Sequence, residues 1–346
     1  MNRRLSLFVG KLLFLPVVSA LIAHSAVSDS EYLGRPEGQA VLDAAAAEGV
    51  DRAWAEQVLG AAERKQSILD AIARPAEKTK PWYEYRKIFI TDKRIRGGVD
   101  FAREHADTLA SVSASTGVPS EVIVAIIGVE TYYGRITGSY RVIDALSTLA
   151  FDYPKRSEFF TKELKHFLVL AYESGKDPLS LKGSYAGAMG YGQFMPSSYR
   201  AYAKPFDGEQ AADIWTAPDD AIASVANYFI AHGWSAGRPV VVAAHGDEAS
   251  EAIFQQGLKP VLTVGELAEA GVAPLTPTDV EIRATPIRFE LADGFEYWLG
   301  FDNFYAITRY NHSAMYAMSV WQLSEKIAAG LAAATDGAMD RVVSRN

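Results

Sequence analysis

The chain of 346 residues contains no cysteine. This absence excludes a disulfide, a thiol nucleophile and a lipid anchor on an N-terminal cysteine. Positive charge is also scarce, since 34 Lys and Arg stand against 42 Asp and Glu, for a formal net charge of −8. An acidic chain of this kind argues against a nucleic-acid-binding surface.

Long hydrophobic runs are absent except near the N-terminus. Leu12–Ala23 is an apolar run of 12 residues that follows three basic residues and precedes the small residues of "AHSAVSDS". A spanning helix needs about 20 residues, so this layout predicts a cleavable signal peptide over 1–26, cut after Ser25 or Ala26. Losing three basic residues changes the net charge from −8 to −11. We therefore expect a soluble periplasmic protein that is not a lipoprotein.

Several common catalytic motifs are missing as well. The six histidines, among them His166, His232 and His312, show no zinc-ligand spacing. The chain has no G-x-S-x-G elbow and no phosphate-binding loop with its lysine. Metallohydrolase, serine hydrolase and nucleotide-binding functions are therefore disfavoured.

What the chain does contain is a mainly helical pattern with one β-rich stretch. Apolar residues recur at three- and four-residue spacing over 39–80, about 97–206, 219–234 and 315–334, which predicts helices. Residues 238–244, 287–291, 295–301 and 304–310 are rich in β-branched and aromatic residues, and "ADG" at 292–294 indicates a hairpin. The expected fold class is α+β, mainly α, with a small β domain.

Glu130 closes the apolar run Val122–Val129 in "VPSEVIVAIIGVETYYGR". Pro119 and Gly134 are good start and stop residues, so a helix of about 15 residues would hold Glu130 in its last turn. Burial and the negative end of the helix dipole both raise the pKa of such a carboxyl group, which suits a general acid. The alternative is an exposed glutamate at a helix end.

A glycine-rich stretch, "GSYAGAMGYGQFMPSSY" at 183–199, is the second candidate site element. Glycine allows close approach of backbone to a ligand. Glycine spacing alone is a weak signal, however, and a plain glycine-rich loop has the same pattern.

Together these stretches resemble the membrane-bound lytic murein transglycosylase B family. The similarity continues through "DALSTLAFDYPKRSEFF", "DDAIASVANYFIAHGW", "TRYNHSAMYAMSVWQL" and "PWYEYRKIFIT", and so spans about Trp82 to Leu323. The resemblance implies a lysozyme-like catalytic core with an additional helical domain, and Glu130 as the catalytic acid and base. The substrate-binding residues that it implies are Tyr85, Arg156, Ser184, Gln193, Phe194, Tyr228, Tyr310, Asn311 and Tyr316. The family often has two arginines where this chain has Lys155 and Arg156, which weakens a bidentate contact at the first position.

The implied reaction is cleavage of the β-1,4 bond between N-acetylmuramic acid and N-acetylglucosamine, with formation of 1,6-anhydro-N-acetylmuramic acid. Two alternatives stay open. A hydrolysing muramidase needs a second carboxylate about 5–9 Å from Glu130, for which Asp144 and Asp152 are the nearest acids downstream. A peptidoglycan-binding protein with a dead site is the other, although Glu130, Ser184, Gln193 and Asn311 are intact.

The resemblance also implies a domain plan and a set of partners. We expect a helical domain at 27–100 joined by the C-terminal helix 312–346, a catalytic core at 101–235 and the β domain at 236–311. Relatives can carry a calcium loop of EF-hand type, but the equivalent loop 205–216 has Pro205 at the first position and Gln210 in place of glycine, so no cofactor and no metal are expected. The expected partners are peptidoglycan glycan strands, with cell-wall enzyme complexes possible and a monomeric chain.

Overall fold

The computed structural model describes residues 31–74, 80–208, 211–246 and 249–343. The predicted signal peptide, 1–26, lies outside these residues. Helices dominate, and one small antiparallel sheet accompanies them, so the expectation of a mainly α, α+β fold is confirmed.

The helices and strands of the described residues follow one another in a mixed order. The helices are α1 (Pro36–Ala46), α2 (Arg52–Gly60), α3 (Gln66–Ala73), α4 (Trp82–Phe89), α5 (Asp92–Glu104), α6 (Ala106–Thr116), α7 (Ser120–Thr131), α8 (Val142–Asp152), α9 (Ser157–Ser174), α10 (Pro196–Tyr202), α11 (Pro218–Ala231), α12 (Val264–Glu269), α13 (Asp302–Tyr310) and α14 (Ala314–Val343). The strands are β1 (Tyr140–Arg141), β2 (Lys182–Gly183), β3 (Val241–His245), β4 (Leu262–Thr263), β5 (Ala273–Pro274), β6 (Arg283–Glu290) and β7 (Phe295–Gly300).

Two large apolar cores organise the helices. The first joins α4 to α7 with α11, α13, α14 and the end of β6, and the second joins α1 to α3 with α8, α9 and α10. Helix α7 lies at the centre of the first core, where it packs mainly against α14 and α5. The segment 27–100 therefore contributes to both cores, and the domain limits drawn from the sequence stay a prediction.

Helix α7 ends earlier than the glycine signal indicates. The helix begins after Pro119 as expected, but Tyr132 and Tyr133 adopt left-handed backbone angles (φ 54° and 62°), so the helix stops at Thr131 and not at Gly134. Left-handed angles are costly for bulky residues. The Thr131 hydroxyl supports the turn, because its Oγ1 accepts a hydrogen bond from the Gly134 N–H at 3.0 Å.

The Tyr133 ring explains why the turn is held. It packs against three glycines, Gly97 and Gly98 on α5 and Gly128 on α7, where an added Cβ would lie 2.6–3.0 Å from the tyrosine. Its hydroxyl donates to the Arg94 carbonyl at 2.7 Å. The end of α7 is thereby clamped to α5, which fixes the turn that carries Glu130.

The sheet has the strand order β4-β6-β7-β3-β5, with every pair antiparallel. Strands β6 and β7 form the hairpin expected at 292–294. The strand predicted over 304–310 is wrong, because these residues belong to α13. Phe304 and Ile307 are buried at helical spacing, and the Asn303 side chain anchors the helix start by bonding the backbone of Ser235 and Arg238.

No single helix of the described ranges is long and apolar enough to cross a membrane. The bent pair Ala106–Thr116 and Ser120–Thr131, at 115°, passes by length and composition together.

Candidate active site

Glu130 occupies the last turn of α7 and faces the N-terminal part of α14. The Tyr316 hydroxyl donates a hydrogen bond to Glu130 Oε1. Burial raises the pKa of Glu130 to about 7, although the hydrogen bond from Tyr316 opposes that change. A carboxyl group with this pKa is populated in both protonation states near neutral pH, which is the property that a group acting first as acid and then as base requires.

The small open part of the Glu130 surface faces a cavity of about 140 Å³. Its walls come from four separate parts of the chain: the end of α7, the glycine-rich stretch with the start of α10, helix α11, and the segment after α13. The lining residues are Glu130, Gln193, Phe194, Met195, Ser198, Tyr228, Tyr310 and Asn311. Among these described residues Glu130 is the one acid.

The glycine-rich stretch forms a compact loop beside the cavity, with bridges between Gly183 and Met189 and between Met189 and Phe194. Its glycines serve the protein's own packing. At Gly190, for example, φ is 68° and an added Cβ would lie 2.3 Å from the Ile214 carbonyl oxygen. The glycines therefore allow this loop to fold against its neighbours, which is a different role from direct ligand approach.

Gln193 has a left-handed backbone (φ 50°) and its side chain is held by two carbonyls. Its Nε2 donates to the Thr137 oxygen at 3.1 Å and to the Gly190 oxygen at 3.0 Å. Both amide hydrogens have partners in this arrangement. Its Oε1 is the acceptor of this side chain, and Gln193 is one of the residues that line the cavity.

Three aromatic rings form another wall. The centroids of Phe194 and Tyr228 lie 5.9 Å apart, as do those of Phe194 and Tyr310, and those of Tyr228 and Tyr310 lie 4.6 Å apart. The Tyr228 hydroxyl donates to the Arg309 carbonyl at 2.6 Å and the Tyr310 hydroxyl to the Gly192 carbonyl at 2.8 Å. Both hydroxyl groups are thus held by backbone carbonyls. A ligand would contact the aromatic rings of these tyrosines more than their hydroxyl protons.

Four of the residues predicted to bind substrate do not line this cavity. Tyr316 is one of them, and its hydroxyl donates to Glu130. Tyr85 is buried on α4, close enough to Tyr316 to influence its ionisation. Ser184 Oγ accepts from the Ala188 N–H at 3.1 Å and closes a turn. Arg156 is exposed in the 3₁₀ turn Pro154–Arg156, with its guanidinium 4.1 Å from the Phe159 ring centroid. The predicted roles of these residues stay predictions.

Met195 and Ser198 line the cavity and were not singled out in the sequence. Met195 directly follows Phe194 and caps α10, and Ser198 lies in the first turn of that helix. A predicted helix start at Pro196 was the signal that could have placed them, because the first turn of α10 must face the same loop.

The two acids considered for a hydrolase have other partners. Asp144 accepts from Arg141 Nε and Nη2, both at 2.7 Å, and from the Glu63 N–H at 2.9 Å. Asp152 accepts from Arg35 Nη1 at 2.9 Å and from the Tyr32 hydroxyl at 3.1 Å. These contacts tie α8 to the N-terminal helices, and neither acid lines the cavity.

The loop equivalent to a calcium site is organised by its own hydrogen bonds. Asp220 accepts from the backbone N–H groups of Phe206 at 2.8 Å and Asp213 at 2.6 Å. Asp213 accepts from the N–H groups and hydroxyl of the turn that follows it, and Lys176 Nζ lies 3.4 Å from its Oδ2. Glu209 and Gln210 lie outside the described residues. Asp213 and Asp220 thus already bind N–H groups, and Asp213 also lies beside a lysine; the absence of a calcium site stays a prediction.

Comparison with known proteins gives a consistent result. Residues 35–325 match the family model of the transglycosylase SLT domain. The chain is 44% identical over 308 residues to the membrane-bound lytic murein transglycosylase B of Escherichia coli (strain K12), which covers 86% of this chain and 84% of that protein. It is similar to the X-ray structure of the catenated lytic transglycosylase SltB1 from Pseudomonas aeruginosa, with 52% identity, a TM-score of 0.83, and coverage of 87% of this chain and 100% of that one. The Escherichia coli lytic transglycosylase Slt35 in complex with calcium gives 43% identity, a TM-score of 0.78, and coverage of 87% and 96%.

Proposed function

Since the chain belongs to the lytic murein transglycosylase B family and is a peptidoglycan lytic transglycosylase, we propose that Glu130 alone supplies both its acid and its base. The observation that supports this is the cavity itself. Glu130 is the one acid among the described residues that line it, and its pKa is raised to about 7. A second, water-activating carboxylate of the kind that hydrolases use has no candidate there.

In the first step, Glu130 donates its proton to the oxygen between N-acetylmuramic acid and N-acetylglucosamine. Tyr316 donates to Oε1, so the proton to be transferred resides on Oε2. The bond from the anomeric carbon to that oxygen breaks, and its electron pair stays on the leaving oxygen. The cation-like ring that results is stabilised by the 2-acetamido group of the substrate.

In the second step, the Glu130 carboxylate takes the proton from the muramyl 6-hydroxyl while that oxygen attacks the anomeric carbon. A new bond from O6 to C1 forms, the product is a 1,6-anhydro sugar, and Glu130 is protonated again. No water is consumed, and the Tyr316 hydrogen bond stabilises the carboxylate between the two steps.

Substrate binding uses complementary groups on the cavity wall. The Gln193 Oε1 is placed to accept a hydrogen bond from an acetamido N–H, and the rings of Phe194, Tyr228 and Tyr310 offer apolar faces to the sugar rings. The exposed Asn311 offers an amide to sugar hydroxyls. Tyr85, Ser184 and Arg156 are proposed to contact more distant parts of the glycan strand.

No metal takes part in this proposal, because Asp213 and Asp220 are engaged by N–H groups and by Lys176. We further propose that the chain is secreted into the periplasm by cleavage of residues 1–26, and that it acts there as a monomer on glycan strands. The placement in the cell envelope follows from its murein substrate; the cleavage, the compartment and the monomeric state rest on sequence.

The product decides between a lytic and a hydrolytic reaction. Digested sacculi should give muropeptides that end in 1,6-anhydro-N-acetylmuramic acid, lighter by one water than the products of a hydrolase. Borohydride should leave their masses unchanged, because they have no reducing end. Products that borohydride reduces would identify a hydrolase, and failure to clear sacculi at all would identify a binding protein.

A further inference from the structure

Three cationic side chains surround one tyrosine ring just after the helix that carries Glu130. Lys93 Nζ lies 5.8 Å from the Tyr132 ring centroid, Arg94 Cζ 5.1 Å and Arg135 Cζ 5.3 Å. The three positive groups are therefore within about 11 Å of one another, comparable to the screening length of physiological salt. We call Lys93, Arg94 and Arg135 the cation cluster.

The cation cluster has no acidic partner among the described residues. None of its members takes part in an ion pair there, although fifteen such pairs occur elsewhere in the described ranges. The neighbouring stretch 80–96 contains six basic and two acidic residues, in a chain whose net charge is −8. Unneutralised positive charge is thus concentrated at one place on an acidic protein.

Arg94 is the fixed member of the cation cluster. Its Nη1 donates to the Ile88 carbonyl at 2.9 Å, and its guanidinium lies between the rings of Phe89 and Tyr132. Its Nε is buried without a hydrogen-bond partner in the described structure, as is the Tyr132 hydroxyl. Lys93 and Arg135 are exposed, so an incoming anion has access to them.

The cation cluster is close to active-site residues along the chain, through Tyr132 and Arg135. Tyr132 is two residues beyond Glu130, and Arg135 is two residues before Thr137, whose carbonyl holds the Gln193 amide at the cavity wall. The segment 131–137 therefore joins the catalytic acid to Arg135 and to the carbonyl that holds Gln193, and the Tyr132 ring brings Lys93 and Arg94 of α5 to the same segment. A peptide attached to the sugar at Glu130 would have this segment as a neighbour.

We propose that Lys93, Arg94 and Arg135 bind the carboxylate groups of the peptide that muramic acid carries on its lactyl group. The sugar rings themselves are uncharged, so the peptide is the anionic part of the substrate beside the cleaved bond. Guanidinium and ammonium groups suit carboxylates through charge-assisted hydrogen bonds. This site makes the enzyme prefer peptide-bearing strands, and it rests on the function proposed above for Glu130.

A second anionic surface, a membrane, also attracts basic residues. The Ile136 side chain is 69% exposed next to Arg135, and such a pair occurs in membrane-docking segments. The closeness of the cluster to Gln193 and Glu130 favours the substrate peptide. The experiment below therefore includes vesicles.

The test measures binding in the Glu130→Gln background, where turnover does not interfere. Calorimetry at low salt compares a soluble glycan oligomer that carries peptides with the same oligomer after an amidase has removed them. The peptide-bearing oligomer should bind about tenfold more tightly, as expected for two or three ion pairs, and the ratio should shrink at high salt. Adding Lys93→Gln and Arg135→Gln should bring the ratio close to one.

The matched control adds Lys259→Gln and Arg283→Gln, which remove two exposed charges from the β-rich region and should keep the ratio. Equal thermal midpoints of the two variants establish that both are folded. A ratio of one in the parent, or a ratio that Lys93→Gln with Arg135→Gln leaves unchanged, overturns the proposal. Loss of binding to phosphatidylglycerol vesicles with an unchanged ratio would assign the cluster to a membrane. Since no step depends on turnover, failure of the anhydro-product assay would be a separate result.

Discussion

Glu130 and Asp144 are both acids on largely buried helices, but they differ in their hydrogen-bond donors and in their access to a cavity. Asp144, 2% exposed, accepts two hydrogen bonds from the Arg141 guanidinium and one from a backbone N–H. Glu130 receives one hydrogen bond, from a neutral phenol, and opens to a cavity. Burial is common to both, so the number and charge of the donors separate a structural carboxylate from a reactive carboxyl group.

Replacing Glu130 with Gln should cause the largest loss of activity among the substitutions that test this comparison. The amide keeps the shape of the side chain but cannot transfer a proton, so we expect kcat on sacculi to fall about a thousandfold or more. Turbidity clearance measures this loss. A variant that clears sacculi near the wild-type rate would show that another group is the acid.

The same variant should also change the pH dependence of stability. The folded chain holds the Glu130 proton more firmly than the unfolded chain does, because the folded pKa is about 7 against an ordinary 4.5. Wild-type stability therefore falls as pH rises from about 4.5 to 7, since only the unfolded state releases the proton there. Glu130→Gln should be more stable than wild type at pH 8 and similar to it at pH 4 in urea denaturation.

The matching substitution Asp144→Asn should have the opposite balance of effects, with a large loss of stability and little loss of activity. Its amide hydrogens would face the Arg141 guanidinium, so a buried pair is broken, and unfolding should become easier by about 3 kcal/mol. Activity per folded molecule should stay within about twofold of wild type. Urea denaturation measures the loss of stability, and turnover is then compared at matched folded fractions. A folded but inactive Asp144→Asn variant would show that Asp144 takes part in catalysis.

Removing the single donor at Glu130 sharpens the comparison further. Tyr316→Phe should raise the pKa of Glu130, because the lost hydrogen bond favours the ionised form, and the alkaline limb of the kcat/KM profile should move to higher pH. The rate at pH 7 should fall about tenfold, as expected for a hydrogen bond to a charged group. Tyr310→Phe is the control, since that hydroxyl donates to Gly192. If Tyr310→Phe shifts the alkaline limb of the pH profile and Tyr316→Phe does not, Tyr316 is not the residue that sets the pKa of Glu130.

Calcium should have the smallest effect, because Asp213 and Asp220 resemble Asp144 in being occupied by donors. We expect the thermal midpoint to differ by less than about 1 °C between chelator and millimolar calcium, since an ion that does not bind the folded state cannot stabilise it. Differential scanning calorimetry measures the midpoint. A rise of several degrees would mean that loop 205–216 still forms a calcium site.

Local sequence patterns predict much of this molecule. The apolar run before Glu130 predicts a buried helix, and the motif resemblance groups Glu130 with Gln193, Phe194, Tyr228 and Asn311, all of which line one cavity. The helix prediction depends on residues within one helix, and the grouping of the site residues depends on an arrangement that the resemblance implies. The catalytic and substrate-binding roles of these residues stay predictions.

Features that depend on distant partners were not predicted. Residues 304–310 have strand composition, but the buried faces of Phe304 and Ile307 are those of a helix. Gly134 is a good helix stop, yet Tyr133 ends α7 earlier, because its ring fits against glycines more than thirty residues away on α5. A short stretch of sequence does not reveal that glycines of α5 pack against Tyr133, or that Asn303 bonds the backbone of Ser235 and Arg238.

The hydrogen bond between Tyr316 and Glu130 joins residues 186 positions apart, and this separation bears on when the protein becomes active. In a chain that ends before Ala314, Glu130 lacks the hydrogen bond from Tyr316 and the packing of α14 against α7. Contacts of such long range form late in folding. We therefore expect competence to cut the cell wall to require the docking of the last helix against α7.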